Sequence, residues 1–311
     1  MTIARSSIIK GPGTIQLGAA GPVFYDSDGI DADVELTTGE VKTSMHGPVD
    51  QFVDDRQGKI GFTPVGEIAA ADLTALFPHQ TPVIGASLFG ATDTAAIVHS
   101  LAGQKVTFHA AAVTKMPDLI LSPGKTPLGA VELTAILKNS GDPADDNSLY
   151  TIAAEAFSDT SFATANVKRL VYAGVWTDLL ASIITEDGWT VSFDMGIKFQ
   201  QIDDFGTVDA YLESVTAKAK CKPANLSESD VLGALRLQST GGARGTSMRQ
   251  GKDLVITGAG SGLVVTLKDA VMDKGPLRWG ATDLRPGEIG FTAQRAESEG
   301  TFGSLFTVAT S

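Results

Sequence analysis

The most constraining feature of the sequence is an internal repeat. When the chain is shifted by 159 residues, residues 28–65 align with residues 187–224 without a gap, and seven of these 38 positions are identical. Composition alone gives about two or three identities over such a length. The identical positions include Gly29 with Gly188, Gly47 with Gly206, Asp50 with Asp209 and Lys59 with Lys218. A repeat of this size indicates two copies of one structural unit.

The alignment continues towards the end of the chain with small changes of register. Ala112-Val113 meets Ala270-Val271 and residues 129–135 meet residues 287–293 at a shift of 158, and residues 148–153 meet residues 304–309 at a shift of 156. Small loop deletions explain this drift. A chain of 311 residues also has the length of about two domains.

We therefore predict two tandem domains, residues 1–155 and 156–311, joined near residues 157–161. The alternative is two unrelated β-rich halves, because alternating patterns align easily.

Each predicted domain is mainly β. Apolar residues alternate with polar ones from Ile30 to Leu36 and from Trp189 to Met195, which is typical of half-buried strands. Further strands are expected at 52–63, 96–100, 104–113, 129–137 and 148–153 and at their counterparts. One short helix is expected in each copy, around Leu73 and Leu76 before Pro78, and after a Ser227 cap. The predicted architecture is a repeated antiparallel β-sandwich or half-barrel with one helix.

Charge and cysteine usage exclude several classes of protein. The net charge is −12, which argues against binding nucleic acid by neutralising phosphates. The single cysteine, Cys221, excludes an internal disulfide framework, and no zinc-ligand spacing occurs. The first residues lack the apolar core of a signal peptide. The sequence also contains no uncharged apolar run of 18 residues, the length needed to span a membrane.

Candidate sites for chemistry are weak, and each has a structural explanation. The glycines of residues 258–262 lie between two strand patterns, so a hairpin turn fits better than a dinucleotide site, which needs a following helix. Residues 123–126 lack the leading glycine of a phosphate-binding loop, and the carboxylates of residues 142–147 lack calcium-loop spacing. A buried apolar thiol fits Cys221 best. We expect no catalytic residues, no metal and no cofactor, and hence no enzyme.

One stretch suggests a protein family. Residues 47–67, which include Lys59-Ile60-Gly61-Phe62-Thr63-Pro64, lead into the mostly apolar residues 70–77 and then Pro78. This stretch resembles the tail tube (major tail) proteins of long-tailed bacteriophages, in which a strand carrying such a pattern enters a small helix that ends in proline. The direct likeness covers about 50 residues of the first copy. The second copy shares it only through the repeat.

The resemblance implies a structural role. Six tail tube domains form a ring whose inner sheets join edge to edge, and stacked rings form a channel through which viral DNA passes without specific binding. A duplicated chain would supply six domains from three subunits, as a trimer with pseudo-sixfold symmetry. Implied partners are other copies, the tape measure, the tail terminator and the baseplate. The implied location is the virion tail, assembled in the host cytoplasm.

The same resemblance suggests which residues face the lumen. If alternate apolar residues of the strand at 30–36 face the core, then Asp31, Asp33 and Glu35 face the lumen. An acidic wall would repel phosphates over about 8–10 Å. The alternative is an ordinary solvated strand face. The lumen wall would carry charges of both signs if it also contained Lys218, Lys220 and Lys222. Alternatively, these lysines would pair with acidic residues of a neighbour.

Two segments between the long strands are candidates for ring-to-ring contacts. They are Thr37–Gln51 and Gly196–Ala210, in which Gly47 and Gly206 would allow a tight bend. Asp50 and Asp209 could accept hydrogen bonds from backbone amides there. Ordinary surface loops are the alternative.

Two other functions remain open on the sequence. One is a tube-end or baseplate ring component of the same fold. The other is a duplicated β-sandwich binding module, although only 7% of the residues are aromatic. Such a module usually exposes aromatic side chains to its ligand.

Overall fold

The computed structural model describes residues 13–18, 21–26, 29–65, 70–89, 95–100, 103–122, 125, 128–137, 149–155, 172–176, 180–202, 206–225, 252–258, 263–275, 277–279, 284–295, 297–298 and 301–310. The protein is mainly β and its sheets are antiparallel. We call residues 1–155 the first half and residues 156–311 the second half.

The described elements of the first half are eleven strands and one helix. They are β1 (Gly13–Leu17), β2 (Val23–Asp26), β3 (Asp31–Thr43), β4 (Gly47–Phe62), β5 (Pro64–Val65), α1 (Ala70–Leu76), β6 (Ala96–Ser100), β7 (Gln104–Phe108), β8 (Ala110–Lys115), β9 (Leu119–Leu121), β10 (Val131–Ile136) and β11 (Tyr150–Ala154). The predicted strands at 96–100, 129–137 and 148–153 and the first helix are confirmed.

The described elements of the second half are twelve strands. They are β12 (Tyr172–Trp176), β13 (Leu180–Ile202), β14 (Gly206–Pro223), β15 (Leu254–Gly258), β16 (Leu263–Leu267), β17 (Val271–Lys274), β18 (Leu277–Trp279), β19 (Leu284–Pro286), β20 (Ile289–Thr292), β21 (Glu297–Ser298), β22 (Thr301–Phe302) and β23 (Phe306–Thr310). β15 and β16 pair directly, in agreement with the predicted hairpin, whose residues 259–262 lie outside the described residues. The expected second helix, the join at 157–161, and residues 123–124, 126 and 142–147 lie outside the described residues.

The strand order of the first half recurs in the second. In the first half, one sheet has the order β11-β7-β6-β1-β2-β5 and another the order β3-β4-β10-β8. In the second half, β23-β16-β15-β12-β13 repeats the first order and β13-β14-β20-β17 repeats the other, because β13 is long enough to belong to both. β18 pairs with β19, and β21 pairs with β22.

The two long hairpins share their register residue by residue. A shift of 159 converts the β3–β4 pairs into the β13–β14 pairs, for example Asp31↔Gly61 into Thr190↔Lys220 and Thr43↔Gly47 into Ile202↔Gly206. The irregularities coincide as well, since register shifts follow Thr37 and Val41 in one hairpin and Gly196 and Gln200 in the other. Bulges are specific local features, so their coincidence is stronger support for a repeat than strand pairing alone.

One detail of the sequence alignment is wrong. The pairs Glu132↔Lys115 and Gly290↔Lys274 show that β8 and β17 correspond at a shift of 159, because Lys115 then meets Lys274. The sequence alignment placed residues 112–113 on 270–271, one residue too early. Small apolar side chains fit either register.

The strand expected at 104–113 is in fact two strands in different sheets. β7 ends at Phe108 and pairs with β6 and β11, whereas β8 begins at Ala110 and pairs with β10. Phe108 is buried at an even-numbered position, whereas Ala111 and Val113 are buried at odd-numbered positions. This break in the alternation marks the point where the chain passes from one sheet to the other. An alanine-rich stretch hid this change.

The hydrophobic core joins the two halves. One cluster of buried side chains includes Ile15 and Ile60 of the first half and Trp189 and Phe306 of the second. Cys221 is buried in this cluster, as predicted, and burial raises the pKa of its thiol far above the ordinary value. The halves therefore share apolar contacts in addition to their own sheets.

Candidate assembly surface

Three segments of the first half pack against the second half. The first is α1 with the residues after it. Phe77 is 1% exposed, and its ring centroid lies 5.3 Å from that of Phe193 and 6.3 Å from that of Phe306. The backbone oxygen of Gln80 accepts a hydrogen bond of 2.8 Å from the amide of Leu305. The apolar face of α1 was predicted, but its packing partner was not.

The second segment is a short extended stretch that pairs with β14. The amide of Gly85 donates to the oxygen of Leu212, and the amide of Leu88 donates to the oxygen of Ala210, both at 2.8 Å. Between them, the hydroxyl of Ser87 donates to Oδ1 of Asp209 at 2.6 Å. This edge of β14 is therefore covered by backbone from the other half.

The third segment is β9, which adds to the edge of β13. Leu121, Ile120 and Leu119 lie opposite Trp189, Thr190 and Val191. The contact needs a glycine, because a Cβ on Gly188 would meet the backbone oxygen of Leu121 and lie 2.7 Å from Oγ of Ser122. Gly188 also has a φ of +90°, which L side chains rarely adopt.

A polar contact accompanies these apolar ones. Asp55 of β4 is 8% exposed, and its Oδ1 accepts from the amide of Thr207 of β14 at 2.9 Å. Its Oδ2 accepts from the hydroxyl of Thr207 at 2.7 Å and from the side-chain amide of Gln201 at 3.3 Å. Burial raises the pKa of Asp55, but the hydrogen bonds from Thr207, Arg56 and Gln57 outweigh it and hold the pKa below 3.8.

We expect Asp55→Ala to lower the free energy of unfolding by about 1–3 kcal/mol at neutral pH, because the donors of Thr207 lose their acceptor. Since the folded pKa is depressed, the stabilisation is complete above the ordinary value of 3.8 and is lost as pH falls through the folded value. Urea unfolding at neutral pH and at stepwise lower pH measures this. Asp54→Ala, at an exposed neighbour, is the control. A difference from the wild type that persists unchanged at the lowest pH would contradict the assignment.

The residues predicted to face the lumen lie together on β3. Asp31, Asp33 and Glu35 are exposed, but the alternation behind this prediction is only partly confirmed, because Ile30 and Val34 pack against the core while Ala32 and Leu36 are exposed as well. Nζ of Lys59 on β4 lies 2.7 Å from Oε1 of Glu35. Asp31, Asp33 and Lys59 line an open recess with Glu132 and Thr134 of β10. This sheet face is polar and mixed in charge.

Two of the three lysines of β14, Lys220 and Lys222, have acidic partners in their own half. Nζ of Lys220 lies 3.7 Å from Oε2 of Glu288, and Lys222 pairs with Glu186. A hydrogen bond from Lys274, together with Lys220, lowers the pKa of Glu288. These pairs offset part of the positive charge that the sequence places on β14.

The segments expected to form loops between the long strands are mostly strand. Of Thr37–Gln51, only residues 44–46 form a turn between β3 and β4, and β14 begins at Gly206. Pairing between the two strands satisfies the backbone there without a buried apolar face. This explains why the polar sequence suggested a loop.

The four residues singled out in these segments have the local geometry expected of them. Gly47 and Gly206 have positive φ values of 67° and 70°. Oδ1 of Asp50 accepts from the amide of Gln51 at 2.8 Å, and Oδ1 of Asp209 accepts from the amide of Ala210 at 2.7 Å. Their role in ring-to-ring contact stays a prediction.

The described part of the chain contains no cluster of three or more His, Cys, Asp or Glu side chains arranged to hold a metal ion. None of the helices in the described ranges is long and apolar enough to cross a membrane. In comparisons with known proteins, no protein-family model and no curated protein matched the chain.

Proposed function

We propose that the chain is a structural subunit of a phage tail tube. In this proposal each half is one antiparallel β-sandwich or half-barrel domain, and three chains form a pseudo-hexameric ring. Stacked rings form the channel for viral DNA, and the subunit catalyses no reaction. The tape measure, tail terminator and baseplate would contact the tube in the virion.

The observation that carries the proposal is the way in which the first half completes the second. α1, residues 85–88 and β9 of the first half cover the core and the sheet edges of the second half. A unit whose edges are covered by its neighbour suits a closed ring, because closure leaves no strand edge open to unwanted pairing. The coincident bulges of the two long hairpins support a repeated unit.

The likeness to tail tube proteins gives the proposal its specific form. The stretch that carries it, residues 47–67 with the following helix, contains β4, β5 and α1, which ends just before Phe77 and Pro78. The exposed Asp31, Asp33 and Glu35 would line the lumen, and although Lys59 offsets the charge of Glu35, the remaining carboxylates would keep DNA from adhering. The net charge of −12 agrees with a channel that does not bind DNA.

Electron microscopy of the purified protein tests this function. Negatively stained samples over a range of concentrations should contain hollow rings or tubes with threefold or pseudo-sixfold symmetry. Compact monomers at every concentration and salt strength would contradict the proposal and favour the binding module. Rings that never stack would instead favour a tube-end or baseplate component.

A further inference from the structure

Three apolar side chains of the first half are exposed, whereas the corresponding side chains of the second half are covered. The three pairs of corresponding residues, first half first, are Val53 with Leu212, Tyr150 with Phe306 and Ile152 with Val308. The first-half side chains are 53%, 41% and 63% exposed, whereas their counterparts are 1%, 0% and 5% exposed. α1, Gln80 and residues 85–88 of the first half contact Leu212, Phe306 and Val308. We call Val53, Tyr150 and Ile152 the open face.

Two pairs of glycines show the same difference. A Cβ on Gly206 would lie 2.5 Å from Oδ1 of Asp55, and one on Gly188 would meet the backbone of β9. At the corresponding Gly47 and Gly29, a Cβ would have nothing within 4 Å. The first half therefore keeps the backbone geometry of the contact, but the described residues leave the space beside it empty.

We propose that the open face binds the second half of another copy of this chain, through the contacts that join the two halves within one chain. This inference deepens the proposed function by naming the ring interface. The contact is head-to-tail, so each chain offers its first half to one neighbour and its second half to another. Such heterologous contacts build a ring when the rotation between subunits closes.

In the proposed contact between two copies, β18 of the second half would take the place that β9 has in the contact within one chain. The bridge Leu119↔Leu128 beside β9 corresponds, at a shift of 158, to the pair Leu277↔Pro286 between β18 and β19. Within the described residues, β18 pairs only with β19 and β3 pairs only with β4. Each of them thus keeps one edge on which the other chain can add a strand.

If β18 of one copy pairs with β3 of another in the register that β9 and β13 share, residues of opposite charge lie opposite each other. Ile120 lies opposite Thr190 in the contact between β9 and β13. The corresponding residues are Arg278 of β18 and Asp31 of β3, which would stand opposite each other in neighbouring chains. Cross-strand pairs of opposite charge favour a strand register, and like charges oppose it. The sequence thus favours β3 of one copy beside β18 of another.

Disulfide cross-linking tests the register. The double variant Asp31→Cys with Arg278→Cys should form cross-links between chains on mild oxidation, seen as two- and three-chain species on non-reducing gels. In the control, Glu35→Cys with Arg278→Cys, the cysteine at 35 lies four residues further along β3, about 13 Å away, beyond the reach of a disulfide. The native Cys221 is buried and present in both variants. Cross-linking in the control alone, or in neither variant, would overturn the proposed register.

A charge on the open face tests the surface itself. Ile152→Glu should raise the concentration needed for assembly by about tenfold or more, because a buried interface must then accept a carboxylate. Ile184→Glu, at a second-half residue that is 49% exposed, should assemble like the wild type. Normal rings from Ile152→Glu would overturn this inference and leave the tube proposal intact. Cross-linked chains that never form a hollow ring would support the interface and contradict the tube.

Discussion

Replacing Phe77 with alanine is expected to lower the free energy of unfolding by about 3–5 kcal/mol. The Phe77 side chain is fully buried between the halves, in edge-to-face contact with Phe193 and Phe306. Those two rings lie 4.4 Å apart, so the substitution opens a cavity within a cluster of three aromatic rings. Urea unfolding followed by tryptophan fluorescence measures the loss.

The matched control uses the same substitution on an exposed ring. Phe52→Ala removes a side chain that is 52% exposed, and it should cost less than about 1 kcal/mol in the unassembled chain. Equal losses for the two variants would show that Phe77 does not join the halves as described.

Gly188→Ala is expected to destabilise the chain by about 3–5 kcal/mol, the sum of two effects. The positive φ of +90° is strained for alanine, and the new Cβ would collide with the backbone of β9. Since the obstacle is backbone, β9 must leave the edge of β13 for the methyl group to fit. Thermal or urea unfolding of the purified variant measures the effect.

The corresponding substitution in the first half measures the first effect, backbone strain, without the second. Gly29→Ala meets the same kind of strain, at a φ of +111°, but its Cβ would have nothing within 4 Å. We expect a loss of only about 1–2 kcal/mol in the unassembled chain. Gly29→Ala as damaging as Gly188→Ala would mean that strain alone explains both glycines.

The repeat allowed much of the fold to be predicted from sequence. Period-2 alternation located β3 and the matching part of β13, and α1 followed from the apolar spacing of Leu73 and Leu76 before Pro78. Both features depend on residues that are close together in the chain, so a single sequence is enough to predict them. Alanine-rich and polar stretches predicted less, which is why the break between β7 and β8 and the extension of the strands to the hairpin tips were missed.

The contacts between the halves could not be predicted in the same way. An apolar stripe shows that one side of α1 is buried but does not identify its partner, so Phe77 was expected in a core without Phe193 beside it. The repeat aligns Gly29 with Gly188. Only the structure distinguishes them, because one glycine lies against β9 and the other faces open space.

The contacts between assembled chains show whether the subunits meet head to tail. An electron cryomicroscopy map of rings or tubes of the wild-type protein would show which halves meet. We expect every contact between neighbouring chains of one ring to join a first half to a second half, with β18 of one copy beside Asp31 of β3 in the next. Contacts within a ring that join two first halves or two second halves about a twofold axis would contradict the head-to-tail interface.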